Sequence, residues 1–186
     1  LPGNNDPFVI LIGNSSIGIA HSATVSGTQV TMDVVIENLG TSSLDSVAVS
    51  DSLIGIFGFG NYSVTTPPFV VEGSTGLNIN ASYDGTFSST LIFSGTLDAG
   101  EYTVVRYVVN ITTPAGPYNH QITVTAQDPT GSAVLDTSDN GLVPDTDEDG
   151  DANEAGENDT TPITLGEEAV IGLAIDTAVA GSQVTI

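Results

Sequence analysis

The 186-residue sequence has no cysteine, no tryptophan and no lysine. Its one residue of the Lys/Arg type is Arg106, and histidine occurs only at His21 and His120. Each absence removes a class of chemistry. Without thiols there is no disulfide and no thiolate zinc site. Without cysteine or lysine two common nucleophiles are gone. With 23 carboxylates the formal charge is −22. Such a surface repels phosphate backbones and anionic headgroups, so neither nucleic acid nor direct membrane insertion is expected. No apolar run approaches the ~20 residues of a spanning helix. The first residue is Leu1 with no signal peptide before it, as in a processed or cropped chain. No G-x-S-x-G elbow occurs. Carboxylate pairs of the glycosidase kind cluster here without the aromatic residues of a sugar cleft. We therefore expect no enzyme. His21 and His120 fall in predicted strands, where surface or packing roles are expected rather than those of a base.

The densest feature is Asp136 to Asp159. Ten carboxylates stand there, with no Lys, Arg or His. Carboxylates this close repel one another unless a cation sits among them. The core Asp145-Thr146-Asp147-Glu148-Asp149-Gly150-Asp151 has the D-x-D-x-D-G spacing of calcium loops. Alternate acidic residues direct hard oxygens at one centre, and the glycine makes the sharp turn. The bidentate Glu of a helix–loop–helix site belongs at the twelfth position, which is Gly156, with Glu154 and Glu157 on either side. No apolar helical repeat flanks the run. The predicted cofactor is calcium, at more than one site. Asp145, Asp147, Asp149 and Asp151 are the first ligand candidates, with Asp139, Asn153, Glu154 and Glu157 next. The alternative is a solvated acidic linker. Millimolar calcium outside cells suits such a site, and so an extracellular or cell-surface setting.

Valine, isoleucine, threonine and serine dominate the rest, the composition of an all-β protein. Alternation predicts strands at Ile17–Ala23 and Gln29–Glu37, joined around Ser26-Gly27. Val30, Met32, Val34 and Ile36 point inward, and Thr31, Asp33 and Glu37 outward. Further strands are predicted at Leu44–Val49, Leu77–Tyr83, Leu91–Phe93, Tyr102–Ile111, His120–Ala126 and Ala133–Leu135. In the Tyr102–Ile111 strand Arg106 and Asn110 point outward. Ile54–Gly60 reads as a bulged edge or packed loop, and Thr66-Pro67-Pro68 breaks any central strand. Seven or more short strands argue for a β-sandwich.

The two ends of the chain resemble each other. Ile17–Met32 reads IGIAHSATVSGTQVTM and Ile171–Ile186 reads IGLAIDTAVAGSQVTI, offset by 154 residues (171 − 17). A tandem unit of roughly 150 residues is implied, with the opening of a second at the tail. Phe8, Val9, Ile10, Leu11 and Ile12 are apolar at every position, as in a strand covered on both faces or in an ordinary first strand.

Several stretches together carry a family resemblance: Ile17 to Gly40, the YDGT of Tyr83–Thr86, LDAGEYTVVRYVVNI from Leu97, and the closing GEND-T-P element. The chain resembles one unit of the "conserved repeat domain" (domain of unknown function 11), found in tandem in large bacterial and archaeal surface proteins. The resemblance implies an immunoglobulin-like fold, an extracellular location and a structural or adhesive role, not an enzyme.

The fold expected is thus an all-β, immunoglobulin-like antiparallel β-sandwich with an acidic calcium-binding loop and terminal strand extensions. Residues 1–16 form an N-terminal extension, 17–135 the sandwich, 136–169 the acidic linker, and 170–186 the start of the next repeat or a donated strand. The function expected is that of a repeat or subunit of an extracellular filament or stalk, stiffened by calcium and built head to tail from copies of itself. One giant tandem polypeptide or strand lending between separate subunits would both serve. The absence of lysine excludes the Lys–Asn isopeptide bond as a stabiliser. The assembly candidates are Phe8–Ile12 at one end and Ile171, Leu173, Ile175, Val179 and Val184 at the other. The alternative is an adhesin or glycan-binding module. Five N-x-Ser/Thr sequons mark Asn14, Asn61, Asn80, Asn110 and Asn158. Strand alternation places Asn61, Asn80 and Asn110 outward, where a covalent glycan would sit before Asn14 or Asn158 carried one. Asp45-Ser46-Val47, Asp51-Ser52-Leu53 and Asp176-Thr177-Ala178 resemble O-glycan sites of some bacteria.

Overall fold

A computed structural model describes residues 13–112, 116–166, 178–180 and 183–185. Phe8–Ile12 and Ile171, Leu173 and Ile175 lie outside the described residues. Two five-stranded sheets pack face to face. The first runs β11 (Asp139–Asn140), β1 (Gly18–Ser26), β2 (Gln29–Glu37), β7 (Tyr102–Ile111), β4 (Tyr62–Gly73). The second runs β10 (Ala133–Thr137), β9 (Thr123–Gln127), β3 (Asp45–Ser50), β6 (Thr90–Gly95), β5 (Leu77–Ile79). A short pair, β8 (Tyr118–His120) and β12 (Thr161–Ile163), stands apart from both sheets. The fold is the expected immunoglobulin-like β-sandwich. One pairing departs from antiparallel: β1 and β11 run parallel, with Ala20 beside Asp139.

The core follows from period-two alternation. Val30, Met32, Val34 and Ile36 of β2 and Val105, Tyr107, Val109 and Ile111 of β7 are buried. They meet Val47 and Val49 of β3 and Val124 and Ala126 of β9 in one apolar cluster. On the outer face Asp33 and Arg106 stand opposite each other, and the guanidinium forks onto the carboxylate at 2.6 and 2.8 Å. Asn38 explains why two quoted motifs sit together. Its side chain donates to the carbonyls of Ser42 and Leu97, both at 2.9 Å, pinning the Asn38–Gly40 turn to the entry of β7.

Four local expectations are corrected. The Pro67-Pro68 pair lies within β4 rather than breaking it. This is an edge strand, and the pair falls in a register shift between Thr66 and Phe69, where missing N–H groups cost no ladder bonds. Leu53–Phe57 forms a short helix, α1, with Leu53 and Phe57 buried. The predicted His120–Ala126 strand is divided between β8 and β9, with buried Ile122 between them. The predicted Leu77–Tyr83 strand stops at Ile79, which removes the alternation that placed Asn80 outward. Asn80 is only 2% exposed, and its amide donates to Ser88 Oγ and the Thr90 carbonyl, both at 2.7 Å.

The acidic segment is not a linker beside the sandwich. It supplies β11 and β12, and Ile163 is fully buried in the core. It also docks on β1 through small residues. A Cβ placed on Gly18 would lie 2.7 Å from the Pro144 Cβ and 3.0 Å from the Ala152 Cβ. Among the described residues no helix is long and apolar enough to cross a membrane. In the tail, β13 (Ala178–Ala180) and β14 (Gln183–Thr185) form a hairpin.

Candidate functional site

Ser138 and Thr161 flank the acidic excursion, and both residues are buried at its base. Between them the backbone curls so that several acidic side chains receive a nearby amide. Gly150 N–H donates to Asp145 Oδ2 at 2.8 Å, and Asp149 N–H to Asp147 Oδ1 at 3.2 Å. Asp151 N–H donates to Asp149 Oδ1 at 2.9 Å. Gly150 has φ +91°, the left-handed turn the D-x-D-x-D-G spacing requires. Glu157 performs the closing role that Gly156 cannot. Its Oε1 accepts from Thr146 N at 2.5 Å and Thr146 Oγ1 at 2.9 Å, bringing the end of the loop back to its start.

Two triads of carboxylates result. Asp145, Asp147 and Asp149 form one, and Asp147, Glu154 and Glu157 the other. Within each, one oxygen per residue lies within 4.8 Å of the others. Crowding shows in the titration. Asp147 is raised above the usual carboxylate range, by partial desolvation and then by Asp149 and its other acidic neighbours. Glu154 is raised chiefly by the charges of Asp149 and Asp147. Hard oxygens alone line the triads, a donor set that fits calcium and not the softer transition metals. Of the other candidates, Asp139 sits in β11 and accepts from Asp159 N–H at 3.1 Å, while Asp151 caps Asn153 N–H at 3.1 Å. Among the described residues neither Asp139 nor Asp151 belongs to a triad.

A second polar cluster was not foreseen. His21 and His120, expected as surface or packing residues, are fully buried and share one array with Asp51. His120 Nε2–H donates to Asp51 Oδ1 at 2.7 Å. The hydroxyls of Tyr83 and Tyr107 both donate to Asp51 Oδ2 at 2.5 Å. His120 Nδ1 and His21 Nε2 share a hydrogen bond at 3.1 Å, and His21 Nδ1 and Ser138 Oγ share one at 3.0 Å. Thr161 Oγ1 donates to the His21 carbonyl at 2.8 Å. Both feet of the acidic excursion are thereby bonded to His21. Burial, then the neighbouring His120, pushes the His21 ring down to about 3. Burial alone would raise Asp51, but the His120 ring and the three donated hydrogen bonds hold it below the ordinary value. The array is sealed from solvent and ties the base of the excursion to the sandwich. Only the inward phase of Tyr107 hinted at it, because the partners of Asp51 lie 32 to 69 residues away.

The sequons divide differently from expectation. Asn80 is buried, which removes it as an outward acceptor. Asn61 is half-buried, with its amide on the Phe57 carbonyl at 2.9 Å. Asn110 is half-buried on the outer face and accepts from Thr28 Oγ1 at 2.8 Å. Asn158 lies half-buried in the acidic loop. Asn14 is exposed.

No family model matches the chain, and no curated protein matches it. Solved structures do. The major pilin subunit of Bacillus cereus aligns at 6% identity and TM-score 0.45, covering 68% of this chain and 39% of the pilin. The collagen-binding domain of a Staphylococcus aureus adhesin aligns at 10% identity and TM-score 0.37, covering 67% of this chain and 99% of that domain. An exo-β-N-acetylglucosaminidase from Vibrio harveyi aligns at 9% identity and TM-score 0.39, covering 69% of this chain and 18% of the enzyme.

Proposed function

We propose that this chain is a structural module of an extracellular filament or surface stalk, joined head to tail to copies of itself and braced by calcium in its acidic loop. One observation carries the reading. The tail hairpin pairs Val179 with Val184 and Ala180 with Gln183. The opening hairpin of the sandwich pairs Val25 with Val30 and Ser26 with Gln29. Each residue of the first set lies 154 positions (179 − 25) beyond its counterpart. The tail therefore repeats the first hairpin in register as well as in sequence, and the sandwich already holds its own copy. A spare first hairpin is useful to a neighbouring unit. Lending it gives a heterologous contact that does not close, which generates filaments. The likeness to the tandem "conserved repeat domain" supports the same reading.

The adhesin alternative would need a concave aromatic patch. Phe59 and Phe87 are exposed and meet edge to face, 6.3 Å between centroids, beside Tyr62 and Asp84. The polar groups there are already engaged. The Tyr62 hydroxyl meets Thr86 Oγ1, and Asp84 Oδ1 accepts from Thr86, Phe87 and Ser88 N–H. Electron microscopy of the purified chain in calcium tests the proposal: filaments are expected, and single particles at every concentration contradict it.

A further inference from the structure

We propose that the acidic loop holds two calcium ions bridged by Asp147, an inference that rests on the reading of this loop as a calcium site. The two triads share that residue and no other. Each also contains one buried carboxylate with an oxygen that has no partner. Asp145 is 6% exposed, and while its Oδ2 accepts from Gly150 N–H, its Oδ1 accepts nothing. Glu157 is 3% exposed, and while its Oε1 takes three donors from Thr146 and Asp147, its Oε2 accepts nothing. A buried carboxylate oxygen is rarely left without a donor or a cation. Each triad contains one such carboxylate.

Charge leads to the same count. The two triads comprise five carboxylates. One divalent ion would leave three negative charges in a partly desolvated loop, whereas two leave one. A carboxylate has lone pairs on both oxygens and can serve two ions at once. Asp147 is exposed, and its Oδ1 accepts only the Asp149 N–H, so both oxygens keep lone pairs for a cation. A third buried oxygen without a partner, Asn158 Oδ1, lies in the same loop and is a neutral ligand of the kind calcium accepts.

The test is a calcium titration of the full chain, read by native mass spectrometry and calorimetry, with circular dichroism confirming the fold of each variant. Wild-type protein is expected to take two ions. Glu157→Gln is expected to take one. Asp147→Asn, at an exposed position that does not threaten folding, is expected to lose one ion and to bind the other at least tenfold more weakly. A single ion in the wild type, or an Asp147→Asn chain that loses one site with the other untouched, overturns the bridge. No calcium bound at all overturns the underlying reading as well.

Discussion

Val179 pairs with Val184 across the tail hairpin in the register that pairs Val25 with Val30 at the start of the sandwich. The chain thus carries the pairing of its first hairpin twice, 154 residues apart (179 − 25).

Removing calcium should loosen the acidic excursion. At a free calcium level about a hundredfold above the dissociation constant, one site stabilises the fold by about 2.7 kcal/mol. Excess chelator is expected to lower the melting temperature and to expose the stretch from Gly141 to Gly156 to protease. A melting curve unchanged by chelator would show that the carboxylates cope without a cation.

The His21 ring sets an acid limit. Its folded value of about 3 lies below the ordinary 6.5. Between those values the unfolded chain binds a proton that the native chain refuses, so stability falls as pH drops through that window, by up to about 1.4 kcal/mol per pH unit. Asp136 acts the other way. Burial, with help from the charges of Asp151 and Glu157, pushes it up to about 7, so its contribution falls as pH rises from 3.8 towards that value. Denaturation at several pH values in wild type and His21→Gln separates the two. The variant should lack the fall in stability below pH 6.5 that His21 contributes, and equal slopes in the two proteins would refute this assignment.

Gly18 is where the excursion touches β1. Gly18→Ala would force a methyl group to 2.7 Å from the Pro144 Cβ. Overpacking of this kind costs about 1–3 kcal/mol. We expect a lower melting temperature and weaker calcium binding, since the loop must lift from the strand. The outcome that contradicts this docking is a variant with wild-type melting and wild-type calcium affinity.

Much of the fold was legible in the sequence because strict alternation leaves little choice of register. The predicted bounds of β2 and β7 match the structure residue for residue. What failed failed for identifiable reasons. Prolines argue against a strand only where the N–H is needed, and the edge strand β4 has a side that needs none. A strand that ends early, as at Ile79, ends the alternation with it, so Asn80 turns inward while Tyr83 stays buried. The acidic loop was recognisable from spacing, yet the closing role of Glu157 depends on a backbone turn at Gly150. Asp51 read as part of a short Asp-Ser-Leu surface motif. No local pattern reveals that one histidine and two tyrosines converge on it.

Sugar attachment gives an independent check on side-chain facing. If the chain is made in a host that glycosylates asparagine, Asn14 is expected to be occupied and Asn80 bare. Peptide mass spectrometry reporting a glycan on Asn80 would mean that its hydrogen bonds to Ser88 and Thr90 are not formed in the mature protein.

The most direct test of head-to-tail assembly is to compare the full chain with a chain ending at Gly166, in calcium, by electron microscopy and light scattering. The shortened chain keeps both sheets, β12 and the acidic loop, so it should fold with an unchanged calcium stoichiometry. The account predicts filaments from the full chain and discrete particles from the shortened one. Filaments of equal length and abundance from both would contradict it.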